Sequence, residues 1–290
     1  MNYDSVFRPG LFADQVVIVT GGGSGIGRCT AHELAALGAH VALVGRNPEK
    51  LANVKDEILS DGGQASDHVC DIRDEAGVIA TIDAILGAVG RIDGLVNNAG
   101  GQYRAALKTI STKGFEAVVR TNLTGGFIFM REVYTRWMER HGGAIVNMIA
   151  DISNGWPNFA HSGASRGGML TLSESAASEW AAAGVRVNTV APGAIASSGL
   201  DTYDVEHRAY IQNEIAGEIP LQRFGTEAEV AAAIVFLLSP AAAVITGSCI
   251  RLDGGAPNAR RVWGKLAPSD KSKPYNGFHR ASSPEILASS

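Results

Sequence analysis

The sequence predicts a single doubly wound α/β domain, a mostly parallel sheet of about seven strands with helices on both faces. Three observations carry that expectation. Short β-branched runs alternate with longer segments of helical period along nearly the whole chain. Such alternation implies parallel strands joined by right-handed crossovers. Glycine supplies 35 of 290 residues, about 12% against a usual ~7%, as many tight strand-to-helix turns require. A glycine cluster, Thr20-Gly21-Gly22-Gly23-Ser24-Gly25-Ile26-Gly27, joins the first apolar run to the first helical segment.

Each element follows in order. Val16-Val17-Ile18-Val19 reads as a buried strand. Ile26, Cys29/Thr30, Leu34 and Leu37 then recur at helical spacing until Gly38. Val41 to Val44 is the second strand, and Pro48 suits the first turn of the next helix. A short strand runs into Val69, and a helix carries Val78, Ile82, Ile85/Leu86 and Val89 on one face. Leu95-Val96 is a strand, 115–140 a long helix and Ala144 to Met148 a strand. A helix over 162–182, a strand over 185–190, a helix over 228–238 and a strand at Cys249–Leu252 complete the series.

Two regions stand apart. The polar and aromatic segment 197–220 sits between a strand and a helix, where a long insertion reads as a substrate lid. The domain is expected to end near residue 255. Beyond it, 256–290 is a tail without a clear period, expected to be partly disordered, with Trp263 as a docking residue for its first part.

Composition excludes several function classes. A net charge of −4 gives no electrostatic case for nucleic acid or an anionic membrane. The three cysteines, Cys29, Cys70 and Cys249, have no metal-ligand spacing, so no metal site is expected and the thiols suit a reducing compartment. No apolar run approaches the ~18 residues of a membrane span. The first residues lack the basic-then-apolar pattern of a signal peptide, and Leu287-Ala288-Ser289-Ser290 is not a Ser-Lys-Leu address. A cytoplasmic protein is expected.

The glycine cluster carries the first chemistry. A dinucleotide's pyrophosphate must approach backbone N–H groups at a helix N-terminus, and a Cβ would hold it off. Strand, glycine turn and helix in that order make Gly21, Ser24, Gly25, Ile26 and Gly27 candidates for this cradle.

Four motifs in order resemble the short-chain dehydrogenase/reductase family: the glycine cluster, Asn97-Asn98-Ala99-Gly100, Pro192-Gly193 and Asp253-Gly254-Gly255. The resemblance covers about residues 10–256. It implies the Rossmann form of the doubly wound fold and a nicotinamide cofactor. By the same resemblance, Asn98, Ala99 and Gly100 lie beside the ribose and nicotinamide side. Asp71 and Ile72 hold and flank the adenine, and Ile195 and Ser197, beyond Pro192 and Gly193, meet the carboxamide and phosphate.

An NAD enzyme usually places a carboxylate at the end of the second strand. Here that strand ends Val44-Gly45-Arg46-Asn47. Arg46 can instead pair with a 2′-phosphate, so NADP(H) is expected over NAD(H).

The family's active site uses Ser, Tyr and Lys with an Asn from the long helix. Thr121-Asn122-Leu123-Thr124-Gly125 resembles the Asn segment. The rest departs. Ile149-Ala150 stands where the pattern carries Ser, Arg166 takes the Lys position, and the Tyr position falls on Ser162, or on His161 with a one-residue shift. A Ser hydroxyl is far less acidic than a phenol of pKa ~10. Arginine keeps its proton, yet can donate to ribose hydroxyls and favour a developing oxyanion. An unperturbed imidazole changes charge near neutrality, which makes His161 a candidate general acid, and Tyr103 is a second candidate. Ser162 also reads as a helix N-cap. Asp151 and Ser153 follow the fifth strand on the catalytic side, and Trp156 and Phe159 read as a substrate wall.

Arg8-Pro9-Gly10-Leu11, Gly100-Gly101-Gln102-Tyr103, the Asn122 segment and His161-Ser162-Gly163-Ala164-Ser165-Arg166 resemble the peroxisomal trans-2-enoyl-CoA and dienoyl-CoA reductase branch of the family. That implies hydride delivery to a conjugated C=C of a small-molecule substrate such as an acyl thioester. Two alternatives stand beside it: a carbonyl or alcohol oxidoreductase with a substituted proton donor, and a silent dinucleotide-binding protein. The family commonly forms homo-dimers or tetramers, and the helices over 115–140 and 162–182, with Trp137 and Trp180, permit it.

Overall fold

A computed structural model describes residues 2–203, 205–259, 269 and 271–287. Its centre is a seven-stranded parallel sheet in the order β3-β2-β1-β4-β5-β6-β9. The strands are β1 (Val16–Thr20), β2 (His40–Gly45), β3 (Gln64–Val69), β4 (Gly94–Asn97), β5 (Gly143–Met148), β6 (Val185–Pro192) and β9 (Cys249–Leu252). A two-stranded pair, β7 (Ile195–Ala196) and β8 (Gly225–Thr226), brackets the 197–220 segment. This pair has no sequence signal, because two residues are too few to show a period.

Alternate strand residues feed two cores. Val17 and Val19 pack with Leu43, Val96 and Val146 under α1 (Gly25–Ala36), α2 (Pro48–Ser60) and α10 (Glu227–Leu238). Val16 and Ile18 pack with Val44, Leu95 and Ile145 on the other face, under α3 (Glu75–Val89), α5 (Gly125–Val133) and α7 (Ala160–Glu179). A parallel sheet buried on both faces needs such continuous apolar runs.

The long helix expected over 115–140 is a continuous run over 112–141. It consists of α4 (Thr112–Val119), a π turn (Arg120–Thr124), α5, a second π turn (Tyr134–Met138) and α6 (Glu139–His141). The next expected helix begins earlier than Ser162. Phe159 is the N-cap of α7, so Ser162 sits inside the first turn, fully buried, and is not a cap. The insertion 197–220 folds into a 3-10 turn (Ser198–Thr202), α8 (Val205–Tyr210), a π turn (Ile211–Ile215) and α9 (Ala216–Glu218).

Residues 271–287 return to the body. Phe278 is buried beside Tyr3 and His32, with the Arg28 guanidinium over its ring. Glu285 and Ile286 donate their backbone N–H groups to the Asp201 carboxylate, and Gln212 donates to the Ile286 carbonyl. Trp263 and the end of the chain after 287 lie outside the described residues. No described helix is long and apolar enough to cross a membrane.

Candidate functional site

The strand order reverses between β1 and β4, and a ligand crevice forms outside the carboxyl ends of strands at such a point. A cleft of about 2630 Å³ opens there. Drug-sized ligands occupy ~300–1,000 Å³, so this cleft has room for a dinucleotide and a second molecule together.

One end is built by the glycine loop. Gly21 and Gly25 take positive φ, +68° and +57°, which favours glycine. A Cβ on Gly27 would overlap the Gly21 carbonyl, so that close approach also demands glycine. Ser24 is the N-cap of α1 but makes no side-chain cap bond, and the first turn holds no acid. The first turn of α1 thus carries neither a side-chain cap nor an acid of its own, as a pyrophosphate site requires, and the nearest carboxyl, Glu227 beside Gly25, is lifted by burial to about 7, toward its neutral form. Ile26 lines the same wall. Asn98 donates its amide to the Thr20 carbonyl at 3.0 Å, while the Asn98 and Ala99 N–H groups both reach the Thr20 hydroxyl at 3.0 Å. These bonds lock the loop after β4 to the end of β1.

Arg46 stands exposed at the end of β2, and with Lys50 and Arg73 it puts three cations on the rim. Asp71 and Ile72 line the cleft nearby. The Asp71 carboxylate is held by Arg73 through its backbone N–H and guanidinium, and these bonds pull its pKa down to about 2. Arg73 and Lys50 were not singled out from the sequence. The Asp71-Ile72-Arg73 turn carried a signal for Arg73, since an Asp there accepts from the backbone two residues on.

The other end gathers Asn122 and Arg166, two of the residues expected from the sequence to act there. Asn122 lies in the first π turn, where its amide clamps Gly101: Oδ1 accepts from the Gly101 N–H at 2.8 Å, and Nδ2 donates to the Gly101 carbonyl at 2.9 Å. Arg166 is buried and donates Nη1 to the Met148 carbonyl at 2.5 Å. Its Nε has no partner, and burial draws its pKa down to about 10, so it stays charged at neutral pH. A Cβ on Gly100 would come within 2.5 Å of its Nη2. A buried cation without a carboxylate partner is costly. With the uncapped α1 terminus, this charge fits an anionic, hydroxyl-bearing group such as a nicotinamide dinucleotide. Pro192, Gly193, Ile195 and Ser197 line the wall between β6 and the 197–220 segment.

The proposed proton donors lie differently. The Ser162 hydroxyl donates to Gln102 Oε1 at 2.8 Å and is not on the cleft wall. His161 is fully buried behind it. Its Nδ1 accepts from the Ser162 N–H, its Nε2 is unpartnered, and Tyr103 lies edge-on to its ring at 4.4 Å. The Tyr103 phenol points at Gly114 in α4, away from the cleft. Asp151, Trp156 and Phe159 line the cleft, while Ser153 is exposed outside it. Sequence reasoning did not isolate Gln102 or Tyr203, which meet through Gln102 Nε2 and the Tyr203 oxygen at 3.0 Å. They are 101 residues apart, and no local pattern could pair them. Among the described residues no group of three or more His, Cys, Asp or Glu could hold a metal.

Comparison with known proteins places this arrangement. A family model described as enoyl-(acyl carrier protein) reductase matches residues 21–257. The chain is 36% identical over 259 residues to the peroxisomal 2,4-dienoyl-CoA reductase of Danio rerio, covering 88% of this chain and 85% of that one. It is 36% identical over 244 residues to a probable 2,4-dienoyl-CoA reductase of Bacillus subtilis, covering 83% and 96%. It resembles the solved citronellol catabolism dehydrogenase of Pseudomonas aeruginosa PAO1 with a TM-score of 0.79 and 56% identity, covering 88% of this chain and 100% of that one. This protein belongs to the short-chain dehydrogenase/reductase family, oxidoreductases that work with a nicotinamide dinucleotide.

Proposed function

We propose that the protein is an NADP(H)-dependent reductase of a C=C conjugated to a carbonyl, with a 2-enoyl or 2,4-dienoyl thioester as substrate. The observation that carries this reading is the pair at the family's Tyr and Lys positions. Ser162 spends its hydroxyl on Gln102, and Arg166 presents a permanent buried charge beside Gly100 and Asn122. Such a site lacks a helix-borne phenol for carbonyl chemistry. It suits a reaction in which negative charge gathers on a conjugated oxygen.

In this reading Gly21, Ser24, Gly25, Ile26 and Gly27 hold the pyrophosphate. Asp71 and Ile72 flank the adenine, and Asn98, Ala99 and Gly100 lie along the ribose and nicotinamide side. Asn122 keeps Gly101 in place, and Arg166 donates to ribose hydroxyls and the developing oxyanion. Pro192, Gly193, Ile195 and Ser197 close the nicotinamide side. Arg46, helped by Lys50 and Arg73, receives the 2′-phosphate. The bound cofactor supplies the hydride. The 197–220 segment serves as the lid, with Trp156 and Phe159 as the substrate wall. Phe115 and Phe127, each 37% exposed on the 112–141 run, support a homo-oligomer formed through that face. Three unpaired thiols suit the cytoplasm.

A second reading, an alcohol or carbonyl oxidoreductase, draws on the 56% identity to the citronellol catabolism dehydrogenase. Following NADPH and NADH oxidation with enoyl-CoA and dienoyl-CoA thioesters, ketones and aldehydes separates the two. Turnover of thioesters with NADPH is expected. Turnover of ketones or aldehydes alone would replace the first reading with the second, and tight NADPH binding without turnover would mark a silent binder.

A further inference from the structure

We infer that Tyr203, carried on the 197–220 segment, is the proton donor of this site, in place of the phenol that α7 lacks. The inference rests on the reductase reading above. Two phenols line the cleft among the described residues, Tyr203 and Tyr210. Tyr210 donates its proton to Glu218 Oε2 at 2.9 Å. The Tyr203 oxygen instead accepts, from Gln102 Nε2 at 3.0 Å, and among the described residues no acceptor takes its proton.

The aim of that phenol is built into the fold. Gln102 is fixed at its other end by the buried Ser162 hydroxyl at 2.8 Å. The line Ser162, Gln102, Tyr203 therefore carries the α7 position out to the cleft wall. Gln102 and Ser162 are positioning residues, and Tyr203 is the group that touches substrate. The Gln102 N–H thereby fixes where the phenol oxygen sits on the wall and leaves its proton free for the cleft. Phe159 stands edge-on to the Tyr203 ring at 5.9 Å and His207 at 4.8 Å, which fixes its plane. The charged and titratable groups around it are His207 and Arg208 of α8, whose Nε donates to the Tyr203 carbonyl, and the Arg104–Glu206 pair at 3.6 Å.

The proton step balances. Hydride adds to one carbon of the C=C, and the displaced electron pair moves onto the conjugated system. The Tyr203 O–H bond breaks, and its proton joins the carbon adjacent to the carbonyl. A proton taken up from solvent, the one that the net reduction consumes, then restores the phenol.

The test uses the full chain with NADPH and whichever thioester the wild type turns over. Tyr203→Phe is expected to lower kcat at least about 100-fold. It should leave the Kd for NADPH, read by nucleotide fluorescence, within about twofold. Placing difluorotyrosine at 203 keeps the shape and makes the phenol more acidic, so the basic limb of the pH–rate profile is expected to move to lower pH. A Tyr203→Phe kcat within about threefold of wild type, or a basic limb that fluorination leaves in place, overturns the assignment. If the wild type turns over ketones or alcohols alone, the C=C reading fails, and the same two variants decide Tyr203 on that substrate.

Discussion

Asp61 at the end of α2 receives the Arg280 guanidinium on both carboxylate oxygens, at 2.8 and 2.9 Å, across 219 positions of sequence. His279 adds a third contact at 2.9 Å. These bonds hold the Asp61 carboxyl at about 2, Arg280 contributing most. The returning segment is thus pinned to the body at Asp61 and to the 197–220 segment at Asp201.

Breaking the pin should free the tail. Arg280→Ala is expected to cost about 1 kcal/mol, since the pair is partly exposed. Limited proteolysis should then cut within 271–287 faster than in wild type, with the central domain intact. A depressed carboxyl stabilises above its unfolded pKa, and that contribution fades as pH falls from about 4 toward 2. Wild type and Arg280→Ala should therefore converge in Tm at the acid end. Equal cutting rates at neutral pH would rule the pin out.

Glu33 predicts a slope of the opposite sign. Burial lifts its carboxyl from 4.5 to about 7, against the hydrogen bonds from Ser5 and Tyr3. The folded state then prefers the protonated acid. Its contribution is complete below about pH 4.5 and is lost as pH rises through 7, on the order of 3 kcal/mol over that window. Neighbouring His32, pulled down to about 4 by burial, works the other way: its contribution is present above 6.5 and fades toward 4. The difference curve between Glu33→Gln and wild type isolates the first effect. The variant should gain relative stability from pH 5 to 8, and a flat difference would refute the assignment.

Arg46→Asp should weaken NADPH by about tenfold or more, the usual size of a lost charge-assisted bond to phosphate. NADH binding should hold or improve. Titration of both nucleotides by fluorescence reads this directly, and an equal loss of both would contradict the 2′-phosphate role.

Arg166→Met separates function from stability. Replacing a buried, unpaired charge with an apolar side chain is expected to be neutral or to stabilise the unliganded protein, by about 1–4 kcal/mol at most. Activity should fall at least about 100-fold, and the rise in Tm on adding NADPH should shrink. A variant with normal turnover would remove Arg166 from the site.

The fold was legible because its signals are local. β-branched runs mark β1, β2, β5 and β6, and the glycine cluster marks the turn into α1. The glycine-loop end of the cleft was legible for the same reason, since Gly21 to Gly27 are contiguous. The reacting end was not. His161 has suitable chemistry and Ser162 the right position in sequence, but their direction depends on α7 starting at Ala160 rather than Ser162, which buries both. Tyr103 follows the Gly100-Gly101 loop in sequence, yet its ring turns to His161 and Gly114. Gln102 and Tyr203 become neighbours only when the 197–220 segment folds back, a long-range contact that no spacing encodes.

The π turn at 120–124 has a further consequence. A π turn is an α-helix carrying one residue more than its ladder needs, and each helical residue turns the chain by about 100°. Loss of a single codon within 120–124 would let the ladder close as a regular α-helix. The two cores would assemble much as before, while the Asn122 amide would swing off Gly101. One deletion event would thus leave a foldable descendant in which the Gly101 loop has lost its clamp on both backbone groups at once.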